Sequence, residues 1–202
     1  MGKQVRYFKQ IEAHLEKRYG REKTAVIMNR AFERYEKIVD ENRDEPKAYH
    51  MHTRQRIYPA IAMFDAMIEN GIGREETASF LIGYYKWRSE KLVPFIQRSF
   101  KIPGLYRIVP KLFFRLTEMS FGSSAGFSSK DRYVSKTEMR LNMTGCPYND
   151  KCRQYGCPEI VRGFCDADDI CYGNMHPKIS WDRTKTLGYG ADACDFRVHI
   201  RE

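Results

Sequence analysis

Six cysteines, three crowded aspartates and one histidine fall between residues 146 and 196 of this 202-residue chain. Cys146, Cys152, Cys157, Cys165, Cys171 and Cys194 all lie between residues 146 and 196, and Asp166, Asp168 and Asp169 sit between two of them. Thiols, carboxylates and imidazoles are the side chains that bind metals or move protons near neutral pH. A helix through FCDADD would set Cys165, Asp168 and Asp169 on one face, at spacings of three and four. Acids packed that closely repel one another, which raises the pKa of at least one toward the range of a general acid or base. The competing reading is that they cap a helix and face water. Cys146 precedes Pro147 at the start of an expected helix, where free backbone N–H groups favour a thiolate.

His176, in the turn YGNMHP, is a further acid–base candidate at the mouth of an expected strand. Arg183 alternates with Trp181 and Lys185 in SWDRTKT and has the fork geometry to clamp a carboxylate with two parallel hydrogen bonds. Its alternative is a structural pairing with Asp182 or Asp195. For a metal, Cys157, Cys165, Cys194 and His176 are the candidate ligands. Structural zinc sites present ligand pairs two to four residues apart, and no CxxC or HxxxH occurs here. A metal and no cofactor both stay open, as does the reading of the cysteines as small buried apolar residues.

The formal charge of +9 is uneven: residues 1–140 carry 27 Lys+Arg against 17 Asp+Glu, and residues 141–202 carry 8 against 9. The start, MGKQVRYFKQ, has no signal-peptide core and no myristoylation pattern, and no apolar run reaches bilayer length. These features read as a cytoplasmic protein without a membrane span, whose thiols stay reduced.

The elements that must position these groups follow from periodicity. Residues 4–19 and 22–40 read as amphipathic helices, and Asn42 to Pro46 break the pattern. His50 and His52 alternate in a helical context and read as a solvated pair, not as metal ligands. Pro59 opens the next helix. Residues 74–98 make another, which Pro94 is expected to end or kink. Basic and aromatic residues interleave over 84–115. The reading is amphipathic helices with solvated basic faces and an aromatic core side; a nucleic-acid or membrane surface is the less favoured reading, and no RNA-binding or phosphate-loop motif is present. Exposed faces of these front helices are a candidate homo-oligomer interface.

The segment FGSSAGFSS, Phe121 to Ser129, reads as a loop between a helical part, residues 1–120, and a cysteine-rich α+β part, residues 121–202, together forming one compact domain. Strands are expected at Val134–Met143, Ile179–Leu187 and Cys194–Ile200, with GYGAD as a hairpin turn between the last two. Helices fit at 147–155 and 158–170. The fold class is α+β, a helical front followed by a small antiparallel sheet with inserted helices.

The ordered set CPY, YGCPE, FCDADD, YGNMHPK, WDRTKTLG and CDFR resembles the L-2-amino-thiazoline-4-carboxylic acid hydrolase family, and RIYPAIAMFDAMIENGIGREE and the FG…GF loop look similar too. The resemblance spans about residues 50–200. It implies a hydrolase that opens a small cyclic amidine-like ring, as in conversion of 2-aminothiazoline-4-carboxylate to N-carbamoylcysteine. That chemistry needs a base for water, a cation for the carboxylate and donors for the tetrahedral intermediate. Asp168 or Asp169 is assigned as base, His176 as proton shuttle and Arg183 as carboxylate clamp. Cys165 is a nucleophile or a pocket wall, and Trp181 and Cys194 are further substrate contacts. A looser similarity, resting on Cys146, Gly190, Cys194 and Phe196, is to small-ligand domains of the vinyl-reductase and transport-particle type. It implies a sensor module that binds a small ligand or metal without turnover.

Overall fold

The helical part and the cysteine-rich part share one buried apolar cluster, running from Tyr7 and Phe8 through Tyr58 and Leu81 to Met139, Cys152 and Val198. The computed structural model describes residues 5–201. Helix α2 (Arg21–Glu41) packs on both α1 (Arg6–Tyr19) and α3 (Tyr58–Glu69), and α3 is buried on nearly every side. Helix α4 (Arg74–Ser99) crosses α7 (Val161–Tyr172), and α5 (Val109–Ser120) lies against the sheet. Helix α6 (Pro147–Gln154) starts at Cys146.

The sheet has strands β1 (Ser128–Val134), β2 (Glu138–Gly145), β3 (Ile179–Asp182) and β4 (Cys194–Ile200), in the order β1-β2-β4-β3 and antiparallel throughout. In β2 and β4 the alternation read from sequence holds. Met143 pairs with Cys194, Leu141 with Phe196 and Met139 with Val198, so one sheet face is apolar.

Several expectations are corrected. The strand expected at Val134–Met143 is two strands, joined by a turn in which the Ser135 backbone N–H bonds the Glu138 carbonyl. Strand β1 begins inside the segment read as a loop. It is polar and exposed along most of its length, so it has no alternation to read. Strand β3 stops at Asp182 and does not continue to Leu187. There the Thr184 and Lys185 backbone N–H groups turn to the Asp195 carboxylate, at 2.9 and 2.8 Å. The β3–β4 connection is therefore a folded loop over 183–193 and not a tight hairpin. Helix α4 runs through Pro94 to Ser99. Both Pro94 and Glu90, the acceptor left without its partner, are exposed, so water can serve that carbonyl.

His52 is also corrected. It is fully buried, its Nε2 donating to the Ser120 carbonyl at 2.7 Å and its Nδ1 3.0 Å from the Tyr148 hydroxyl. With Nε2 donating, Nδ1 must accept, so Tyr148 donates. Burial lowers the pKa of His52 and keeps the ring neutral.

A candidate active-site cavity

One cavity of about 260 Å³ lies between the apolar sheet face and the helices α4, α5 and α7. Helix α7 supplies its floor because Phe164, Cys165, Asp168, Cys171 and Tyr172 recur at helical spacing on one side. Strands β2 and β4 contribute Met139, Leu141, Met143, Cys194 and Phe196. An aromatic wall runs from Phe113 through Trp181 to Phe196, with ring centroids 5.7 and 5.4 Å apart.

Of the three clustered acids, only Asp168 enters the cavity. Asp166 accepts a hydrogen bond from the Tyr189 hydroxyl at 2.7 Å. Asp169 is held by the Trp181 indole N–H at 2.8 Å and by Arg183 at 2.5 Å. Burial raises the pKa of Asp168 to about 7; Arg183 opposes that rise and Asp169 adds to it. Its side chain is 38% exposed and lines the cavity, so a ligand can reach it.

Arg183 lines the same cavity, but its side chain is only 3% exposed. It donates to Asp169 and to the Cys165 carbonyl at 2.9 Å and lies 3.8 Å from Asp168. It therefore braces the acid pair and is not free to clamp a substrate by both arms; neither Asp182 nor Asp195 is its partner. Two other cations open into the cavity, Arg56 and Arg88. Arg56 sits on a π-type turn, Thr53–Ile57, where the Ile57 N–H reaches back to the His52 carbonyl. Arg56 donates to the Tyr148 oxygen at 3.4 Å, completing a chain Arg56–Tyr148–His52–Ser120 whose donors all run one way. Arg88 forms no ion pair among the described residues.

Four thiols line the cavity: Cys146, Cys165, Cys171 and Cys194. All six cysteines are free. The Thr186 hydroxyl lies 3.3 Å from the Cys165 sulfur and 3.4 Å from the Cys194 sulfur, and joins the β3–β4 loop to α7. Gly188 packs so closely that an added Cβ would sit 2.6 Å from the Cys165 sulfur. Burial pushes the Cys165 thiol up to about 11, with Thr186 and Arg183 pulling the other way. At Cys146 the expected thiolate stabilisation is outweighed. Burial pushes this thiol up to about 12, although the Asn149 and Tyr148 backbone N–H groups oppose the rise.

Two groups named from the sequence lie outside. His176 stacks on Tyr106, with centroids 5.4 Å apart, and its Nδ1 accepts from the Lys178 N–H at 3.0 Å. Asp169 does not line the cavity. The four metal candidates do not converge: Cys165 and Cys194 line the cavity, Cys157 is buried outside its lining, and His176 stacks on Tyr106. Among the described residues, no group of three or more His, Cys, Asp or Glu side chains is placed to hold a metal ion. The residues present do not fit that role.

Sequence reasoning missed Arg56, Arg88 and Tyr148 as cavity groups. Tyr148 stands in the CPY motif, Arg56 in the segment RIYPAIAM and Arg88 in the basic-aromatic stretch, so each was in view without its partners. The model of the L-2-amino-thiazoline-4-carboxylic acid hydrolase family matches residues 50–198, which include every residue of the cavity. No curated protein matches the chain.

Proposed function

The chain belongs to the L-2-amino-thiazoline-4-carboxylic acid hydrolase family, and from that premise we propose that it opens a small cyclic amidine-like carboxylate by adding water. The observation that carries the reading is a carboxyl group poised near neutrality, Asp168, in an aromatic-walled cavity that also holds the cations Arg56 and Arg88. Arg88 and Arg56 take the substrate carboxylate, because Arg183 is committed to Asp169. The flat ring lies along Phe113, Trp181 and Phe196.

Ionised Asp168 accepts a proton from water as the water oxygen bonds to ring C2. The C=N electron pair moves to the ring nitrogen, which takes from Asp168 the proton that came from water. Collapse of the tetrahedral carbon to a carbonyl breaks the C2–S bond, and the C2 hydroxyl proton passes to Asp168 and from it to sulfur. The product of 2-aminothiazoline-4-carboxylate is N-carbamoylcysteine, one water heavier. A leaving thiolate of pKa about 8.5 needs only weak acid help. A carboxyl near pKa 7 serves both halves, since it is ionised and protonated in comparable amounts at neutral pH. Thiols held near 11 and 12 are poor nucleophiles there, so Cys165 and Cys146 shape the cavity floor and carry no covalent step. The free thiols and the low exposure of most of them suit a reducing, cytoplasmic setting.

The test is incubation of the purified chain with 2-aminothiazoline-4-carboxylate and mass analysis of the products. Appearance of N-carbamoylcysteine at a rate proportional to enzyme supports the reading. Saturable binding by calorimetry with no product would instead make the cavity a ligand sensor.

A further inference from the structure

The face of α4 that lines the cavity does not stop at the cavity. Tyr85, Arg88, Ser89 and Leu92 line it, and the same helical stripe continues outward to Phe95, which is 69% exposed. On α5, Phe113 and Thr117 line the cavity, while Leu112, Leu116 and Met119, with Ile108 just before the helix, lie on other faces and are exposed. Met119 is also 69% exposed, and Ile102, in the connection between the two helices, is 62% exposed. Leu92, itself 46% exposed, lines the cavity, and the others follow it on the same helix–connection–helix segment. Isolated exposed apolar residues are ordinary; seven large ones between Leu92 and Met119 mark this segment as an interaction surface.

The charges around it have one sign. Lys91, Arg98, Lys101, Arg107, Lys111 and Arg115 lie on the same segment, and no acidic residue occurs between Lys91 and Thr117. None of the six forms an ion pair among the described residues. Glu118, the first acid after them, is already paired with Arg132. The expectation that the aromatic side of this stretch is core therefore holds for Tyr84 and Tyr85 but fails at Phe95.

We propose that this face docks on an anionic phospholipid surface, with the cavity mouth turned toward the headgroups. Charge decides among the possible occupants. A second copy meeting this face symmetrically would set cations against cations with no acids to answer them. A nucleic acid would pair with the cations but leave Phe95, Ile102 and Met119 in water. An anionic bilayer satisfies both features, since apolar side chains enter the acyl boundary while Lys and Arg stay at the headgroups. Among the described residues no helix is long and apolar enough to cross a membrane, so docking would be peripheral.

The experiment is co-sedimentation of the full chain with vesicles of pure phosphatidylcholine and of phosphatidylcholine containing a third phosphatidylglycerol. The proposal expects binding to the anionic vesicles, with weakening as salt rises. The triple variant Lys101→Glu, Arg107→Glu, Lys111→Glu should bind roughly a hundredfold more weakly, from a few-fold per cation at the surface. The variant Phe95→Ser, Met119→Ser should also lose binding while keeping the wild-type melting temperature, because both side chains already face water. Equal sedimentation with both vesicle types, or unchanged binding by the triple variant, overturns the proposal. So does a concentration-dependent dimer that Phe95→Ser, Met119→Ser abolishes, since the patch would then be a self-association surface.

Discussion

On the proposed reading Asp168 takes the base role that the sequence left between Asp168 and Asp169, and Arg56 and Arg88 take the carboxylate role that it had given to Arg183. Arg88→Gln tests the carboxylate role. A charged hydrogen bond lost at the substrate costs roughly 1.5–3 kcal/mol, or about 10- to 150-fold. The expected change is in KM more than in kcat, because the carboxylate is held equally before and during ring opening. An unchanged KM would place the carboxylate elsewhere. Asp168 also makes a stability prediction. Its folded pKa of about 7 lies above the unfolded value of 3.8, so between those values the folded protein holds the extra proton. Stability must therefore fall as pH rises from about 4 to 7 on this group's account. Asp168→Asn, which mimics the neutral form, should raise the melting temperature relative to wild type at pH 8 and change it little at pH 4. His52 acts with the opposite sign. Its folded pKa is lowered by burial, so the unfolded chain takes up the proton first and stability is lost as pH falls below the ordinary histidine value. Protonated Nδ1 can no longer accept from Tyr148, so Arg56 loses its brace at the same time. Unfolding curves of wild type and His52→Gln at pH 5 and pH 8 measure this: the wild type should lose more stability on acidification than the variant.

Helix α7 is the element on which the site depends, and its seat against α4 is set by one small residue. A Cβ at Gly163 would lie 2.9 Å from the Tyr85 ring and 3.3 Å from the Ile82 Cα. The backbone neighbour cannot move cheaply, so Gly163→Ala should push the two helices apart and cost about 1–3 kcal/mol. Tyr85 and α7 both line the cavity, so activity should fall along with the denaturation midpoint. Gly126 is a second such point. It has φ +88° and an added Cβ would meet the Tyr49 ring at 2.8 Å, so Gly126→Ala carries both strain and a clash. Gly190, also at positive φ but with open space around it, should cost only the backbone term. A ranking in which Gly190→Ala destabilises most would contradict this account of the close contacts.

At the scale of the molecule, what could be read in advance was local. Period-two alternation in β2 and β4 and period-3.6 stripes in α1, α2 and α7 are recorded within a few residues each, and those elements lie where they were expected. Strand β1 carries no such record. SSKDRYV faces water along an edge, with a bulge between Lys130 and Tyr133, and its charges suit an unpaired edge better than a core. The cavity groups were legible only in part, because Asp168, Cys165, Trp181, Arg183 and Cys194 cluster in sequence while Arg56 and Arg88 come from far upstream. His52 finds partners 68 and 96 residues away, which no local pattern encodes. The competition at Cys146 was equally hidden. A helix N-terminus is visible in CPY, whereas the burial that outweighs it exists only after the sheet, α6 and α7 have packed.

The central claim is that Asp168 is the proton-transfer group of a ring-opening hydrolase, and the most direct measurement is kcat/KM for 2-aminothiazoline-4-carboxylate from pH 5 to 9, on wild type and Asp168→Asn. The account predicts a wild-type rate that rises with pH through about 7 as Asp168 ionises. It predicts a variant at least about a hundredfold slower, with that rise gone and the fold intact. A variant that turns over at the wild-type rate with the same pH profile would contradict it.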